Sequence, residues 1–363
     1  MGRNELAALI AHNPVNRSLD TRFVDGVMRD AAVRHMPELR AIQSMKRIKY
    51  KRRVGEYNST FIYLYLITGV NRKGEPVRKR LVYSAHSDDS RLRAYTVLQM
   101  LIRAGFNDDP IYKTIVPLEY LPEVKALLYE AVPGRTLWDF MKQCVPARDI
   151  YPVLSLVAGW IRKLHTFTLL PTELAQIQRV DVLQTYWRPD EVLAVVKEKN
   201  RYQADKLQAF YDALGKLAHH LTPSVAPGLV YGDPHPENII VKNLRVKNLT
   251  MIDFTDVAIG DQLRDCGIFI QQLSFMGRNY YSHRELEWLR TYFIEHYFKK
   301  SMAELHPGEL QRLNLYQAWN ALRSFVYFFY QEKMREQSYG LLEDAWLYLT
   351  LAQQNARRIT IYE

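Results

Sequence analysis

The chain has 363 residues, 48% of them hydrophobic, a formal charge of +10 and two cysteines, Cys144 and Cys266. That hydrophobic share excludes wholesale disorder, and two isolated thiols exclude a disulfide framework or a cysteine-built zinc site. The most apolar stretch, Phe61 to Thr68, is far too short to span a bilayer, and no signal-peptide core opens the chain, so a soluble, cytoplasmic protein is expected.

Residues 1–45 read as a helical extension without an assignable role, broken at Met36-Pro37. Ile48–Val54 and Thr60–Ile67 are rich in aromatic and β-branched residues and read as strands; Asn71–Pro76 reads as a turn and Arg78–Ala85 as a third strand. The link 54–59 holds one Gly, so an ordinary hairpin turn and a cover over phosphate are both open. Leu92, Tyr95, Leu98 and Ile102 recur at helical spacing over Ser90–Ala104, and Gly105 is a helix stop. Ala126–Ala131 reads as a strand leaving into Val132-Pro133-Gly134. Helices are expected over Tyr151–Phe167, Arg201–Leu221, Cys266–Phe275, Glu285–Phe298, Glu309–Gln331 and Leu341–Arg358, with 168–200 mixed in character. Neither an internal repeat nor a low-complexity tract is present.

Charge is uneven. The first 131 residues carry +8 and the remainder +2. Lys46, Arg47, Lys49, Lys51, Arg52 and Arg53 would lie near Arg72, Lys73, Arg78, Lys79 and Arg80 if the strands pair. This is a solvated face or an attractor of phosphate; without a recognisable RNA motif, nucleic-acid binding is disfavoured. Peripheral membrane contact stays open, as does oligomeric state.

The most informative stretch is Leu229–Val241, in which an apolar run leads into Gly232-Asp233 and Asn238 follows Asp233 by five residues. A second apolar run ends in Ile252-Asp253-Phe254. Nucleotide phosphoryl transfer needs a carboxylate to orient and deprotonate the attacking hydroxyl, and an amide oxygen and second carboxylate to hold metal ions. A Gly-Asp-Pro turn alone would be punctuation; the spacing and the second apolar run carry the reading.

The run Tyr231-Gly232-Asp233-Pro234-His235-Pro236-Glu237-Asn238-Ile239 resembles the catalytic loop of the aminoglycoside phosphotransferase and choline kinase superfamily, which usually reads His-Gly-Asp-Leu-His-x-x-Asn-Ile. Tyr231 and Pro234 depart from that pattern. The resemblance implies an α+β, bilobal protein-kinase-like fold, with a small antiparallel β lobe over 46–131 and a large helical lobe over 132–363. It implies Asp233 as catalytic base, Asn238 and Asp253 as magnesium ligands, and Asp261 and Asp265 as supports of the loop. Backbone groups around Glu130 and Val132 would meet the adenine of ATP. His165, in Leu164-His165, is expected to hydrogen-bond inside the core.

One part of the pattern is missing. The family's third-strand Lys falls at Tyr83 or Ser84, and its helix Glu, four residues before Leu98, falls at Ala94. Arg80 is the first candidate for a substitute cation. Two readings follow: a magnesium- and ATP-dependent kinase of a small-molecule or cell-envelope hydroxyl, or a degenerate kinase-like binding module without phosphoryl transfer.

Overall fold

The computed structural model describes residues 3–180, 188–221, 225–245 and 247–354. These form two compact units, one of residues 1–133 with 250–256, the other of 134–249 with 257–363.

The first unit opens with two helices, α1 (Arg3–His12) and α2 (Thr21–His35). The Asp20 carboxylate caps α2 by accepting the N–H of Arg22 at 2.9 Å and of Phe23 at 3.3 Å. Strands β1 (Ala41–Arg53), β2 (Thr60–Val70) and β3 (Pro76–His86) follow. Thus β1 begins inside the stretch whose sequence reads as helical extension. Next come α3 (Ser90–Arg103), β4 (Tyr112–Thr114), β5 (Pro117–Leu121) and β6 (Ala126–Glu130). Helix α3 stops at Gly105, which takes a left-handed φ of 85° that a side chain would disfavour.

The sheet order is β1-β2-β3-β6-β5, every pair antiparallel. Side chains alternate between faces of a strand. One face presents Phe61, Tyr63, Tyr65 and Ile67 from β2, Leu81, Tyr83 and Ala85 from β3, and Ala126 and Leu128 from β6. The N-terminal segment covers this face with Val15, Val24, Met28, Ala31, Ala32 and Met36, all buried. In α2 the buried positions 24, 28, 31 and 32 form one helical stripe. Polar contacts fix the cover: the Tyr65 hydroxyl donates to Asp25 at 2.7 Å, and Ser18 bonds the Tyr83 hydroxyl at 2.7 Å. Residues at the alternate positions, Val82 and Ser84 of β3 among them, belong to the opposite face.

The second unit begins with β7 (Arg135–Thr136) and α4 (Leu137–Met141), then α5 (Ala147–Thr166), α6 (Pro171–Leu174), α7 (Pro189–Lys199) and α8 (Arg201–Leu221). Three short strands follow, β8 (Gly228–Val230), β9 (Ile239–Val241) and β10 (Leu249–Met251), the last running into the 250–256 stretch of the first unit. Then come β11 (Ala258–Gly260), α9 (Leu263–Gly277), α10 (His283–Phe298), α11 (Pro307–Phe329) and α12 (Arg335–Gln353). The helix expected at 341–358 therefore starts earlier, and residues 355–358 lie outside the described ones, as do 181–187 of the mixed segment. Among the described residues, no helix is long and apolar enough to cross a membrane.

Candidate active site

The loop from Tyr231 to Asn238 joins β8 to β9. Both strands are anchored within the second unit: Val230 pairs with Ala258 of β11, and Ile240 with Thr136 of β7. The loop leaves β8 through Tyr231, fully buried with its ring edge-on to Trp160 at 5.5 Å, and turns at Gly232, whose φ of 87° suits glycine.

Asp265, in the first turn of α9 and wholly buried, holds that turn. Its Oδ2 accepts the Tyr231 N–H at 2.6 Å and its Oδ1 the Gly232 N–H at 2.8 Å. His165, at the end of α5, places Nε2 2.9 Å from Asp265 Oδ2, and its Nδ1 lies 2.8 Å from the Tyr297 hydroxyl. His165 is thus tied into the interior, as its sequence context suggests. The bond from position 231 to Asp265 is made by the backbone N–H and does not depend on which side chain stands there. Asp261 is bound from another side: Arg312 Nη1 reaches both its oxygens at 2.9 Å and the Tyr316 hydroxyl donates at 3.0 Å.

Asp233, at the loop's tip, keeps a quarter of its side chain exposed. Its Oδ1 lies 3.3 Å from Arg323 Nη1 of α11, and its Oδ2 3.4 Å from His235 Nε2. Burial disfavours the charged carboxylate, but Arg323, His235 and Arg264 together outweigh it and hold the carboxyl well below its usual range. His235 Nδ1 accepts the Glu237 N–H at 3.3 Å, which assigns the ring proton to the nitrogen facing Asp233. The ring of Trp319 backs both cations, 4.1 Å from the Arg264 guanidinium and 5.7 Å from that of Arg323. Asn238 Nδ2 donates to the Asp233 carbonyl at 3.1 Å, so Asp233 and Asn238 are fixed in one loop.

The remaining candidates lie in the first unit. Asp253 has a left-handed φ of 58° and an open carboxylate, 40% exposed. Thr255 donates to its Oδ1 at 3.0 Å, and Arg91 Nη1 of α3 stands 3.4 Å from the same oxygen. Sequence reasoning passed over Arg91. Arg80 is exposed on β3, on the Ser84 face. The Glu130 carboxylate meets Lys79 Nζ at 3.0 Å. The N–H of Ala131 donates to the Arg80 carbonyl at 2.9 Å, so backbone alternation turns the polar groups of Glu130 and Val132 away from β3. The pairing of β5 with β6 ends at Pro117 opposite Tyr129, short of both.

A sequence model of the phosphotransferase enzyme family matches residues 82–316, about two thirds of the chain and all of the loop described above. The chain belongs to this family. A search of curated proteins found no match. Among solved structures, the family member is similar to wild-type aminoglycoside 2'-phosphotransferase-IIIa in its GDP complex, with 14% identity and a TM-score of 0.53, covering 88% of this chain and 97% of that one. It is similar to the ethanolamine kinase of Plasmodium vivax (13%, TM-score 0.54, covering 85% and 82%) and to the choline kinase LicA of Streptococcus pneumoniae (12%, TM-score 0.52, covering 90% and 99%). At these identities the likeness shows the fold alone, α+β and kinase-like; membership rests on the family match, which bears out the resemblance to the aminoglycoside phosphotransferase and choline kinase superfamily.

Proposed function

We propose that this phosphotransferase is an ATP- and magnesium-dependent kinase of a hydroxyl on a small molecule or cell-envelope component. The observation that carries the proposal is the setting of Asp233: a partly exposed carboxylate in a loop whose turn is locked by Asp265 and whose side chain is steadied by Arg323 and His235. Phosphoryl transfer asks the protein for positioning more than for covalent chemistry. Asp233 would accept a hydrogen bond from the acceptor hydroxyl, aim its oxygen at the terminal phosphorus and take its proton as the new O–P bond forms and the bond to the leaving nucleotide breaks. A carboxylate held low in pKa suits the orienting role, since the proton need transfer only late.

Each of the two candidate donors, taken by itself, suits magnesium. Asp253 offers a carboxylate open to solvent, and Asn238 an amide whose nitrogen is already engaged by the Asp233 carbonyl, leaving its oxygen as the donor. These are hard oxygen ligands, and magnesium commonly takes one or two from protein and the rest from water and phosphate. Among the described residues no cluster of three or more His, Cys, Asp or Glu could hold a metal. Bound there, magnesium would neutralise charge on the nucleotide phosphates. The backbone of Glu130 and Val132, turned away from β3, would meet the base. The neighbours named above were solved with GDP or are named for aminoglycoside, ethanolamine and choline substrates; that range supports a small hydroxyl-bearing acceptor.

The test is acceptor-dependent release of ADP or GDP across a panel of amino sugars, amino alcohols, sugars and lipopolysaccharide fragments. The wild type should turn over with one acceptor class, and Asp233→Asn should still bind nucleotide while turnover falls by about 10³-fold. Nucleotide binding with no acceptor-dependent release on any class would favour the binding-module reading.

A further inference from the structure

We infer that Arg91 is the cation that grips the nucleotide phosphates, delivered from the first turn of α3 instead of from β3. The inference rests on the nucleotide site proposed above. Kinase-like folds place a Lys on the third strand and steady it with a Glu from the next helix; here those positions hold Ser84, or Tyr83, and Ala94. Of the two strand positions, Tyr83 is packed under the N-terminal helices, so only Ser84, itself buried, belongs to the opposite face. Arg91 fills the space that Ser84 leaves: its Nε donates to Ser84 Oγ at 2.8 Å. Its Nη1 reaches toward Asp253, 3.4 Å away. A single guanidinium therefore joins the vacant lysine position to the candidate metal ligand.

Three features argue that this is more than a pin between helix and strand. First, the residue is 7% exposed, and a buried guanidinium needs compensating charge. Among the described residues its one ionic partner is Asp253, 3.4 Å away, a distance long for a charge-assisted bond. The pair leaves Asp253 40% exposed and three of five guanidinium N–H donors untaken by described residues. Second, the backbone that presents Arg91 is braced. Asp88 accepts the Ser90 N–H at 2.9 Å and pairs with His86 Nδ1 at 2.9 Å, while Lys125 holds the helix-capping position Asp89 at 2.8 Å. Third, the arrangement accounts for Ala94. A strand lysine has a flexible stem and needs an acid to aim it, whereas Ser84 already aims the planar fork of Arg91. Arg80 stands four residues from Ser84, about 13 Å along the strand, and is exposed, so its pull on phosphate would be outer and screened.

The decisive quantity is the ratio of triphosphate to nucleoside affinity, measured by calorimetric titration of ATP, GTP, adenosine and guanosine with magnesium present. Arg91→Gln keeps a donor for Ser84 but removes the charge; the ratio should fall at least tenfold with nucleoside affinity unchanged. Adding Ser84→Lys to Arg91→Gln should restore most of it. Should Arg91→Gln fail to fold, Arg91→Lys decides: one-point contact lowers the ratio several-fold if Arg91 grips phosphate and leaves it unchanged if Arg91 is only a pin. A ratio unchanged in a folded variant, or triphosphate and nucleoside affinities falling together, overturns the inference. A wild type that binds neither triphosphate instead removes the proposed nucleotide site, and the inference with it.

Discussion

Asp265 reaches from α9 to the turn at Gly232 and holds its N–H at 2.8 Å, with the N–H of Tyr231 at 2.6 Å on the other oxygen. One buried carboxylate thereby sets the direction in which the Asp233 side chain leaves the loop. Asp265→Asn turns one acceptor oxygen into a donor facing a donor. The expected cost is about 3–5 kcal/mol, as for breaking a buried charged network. Urea unfolding measures it; a loss below about 1 kcal/mol would show that the loop is held by other means.

Arg323 supplies the nearest positive charge to Asp233. Because the folded carboxyl is held below its ordinary value, the pair stabilises the protein above the carboxylate range and that contribution is lost as pH falls. Arg323→Ala should raise the Asp233 pKa, shift the acid limb of the pH–rate profile to higher pH and reduce the acid-side dependence of stability. Arg323→Lys should keep most of the original profile. An acid limb unmoved by Arg323→Ala would remove Arg323 from the account of Asp233.

Met28 tests the N-terminal cover. It is fully buried in the α2 stripe against the sheet. Met28→Ala should cost about 2–5 kcal/mol of stability, and removing residues 1–38 should leave Phe61, Tyr65 and Tyr83 uncovered and the protein aggregation-prone. A soluble, cooperatively folding truncation would contradict the role assigned to this segment.

The parts legible in sequence were those with local signatures. The meander from β1 to β3 was visible as alternating aromatic and β-branched residues, α3 as a helix stopping at Gly105, and the Asp233–Asn238 loop as a motif; the buried face of α3 was not, since Leu92 of its apparent stripe is exposed and Ala94, Val97 and Leu101 are buried. Strands β4 and β5 were too short for alternation to register. The cover over the sheet was hidden because its contacts are tertiary: Ser18 meets Tyr83, and Asp25 meets Tyr65, across long stretches of chain. Arg91 was missed for the same reason. Nothing in its local pattern marks it, and its meaning comes from Asp253, 162 positions away. Arg323 sits in an apolar helical pattern that gives no hint of the loop it serves.

The two thiols should differ in reactivity. Cys266 is buried, and burial, with Asp265 nearby, pushes its thiol well above the ordinary range, whereas Cys144 is exposed. Titration with a disulfide reagent should find one fast thiol in the native protein and two after denaturation. Rapid native modification of Cys266, identified by peptide mapping, would contradict the packing of α9 beside Asp265.

The proposed function turns on a magnesium-dependent nucleotide site that would use Asp253. Calorimetric titration of ATP and GTP into the wild type and into Asp253→Asn, with and without magnesium, tests it most directly. Wild-type binding that requires magnesium, and that weakens at least tenfold in Asp253→Asn, is the predicted result. No binding at millimolar nucleotide, or binding indifferent to both magnesium and Asp253, would contradict it.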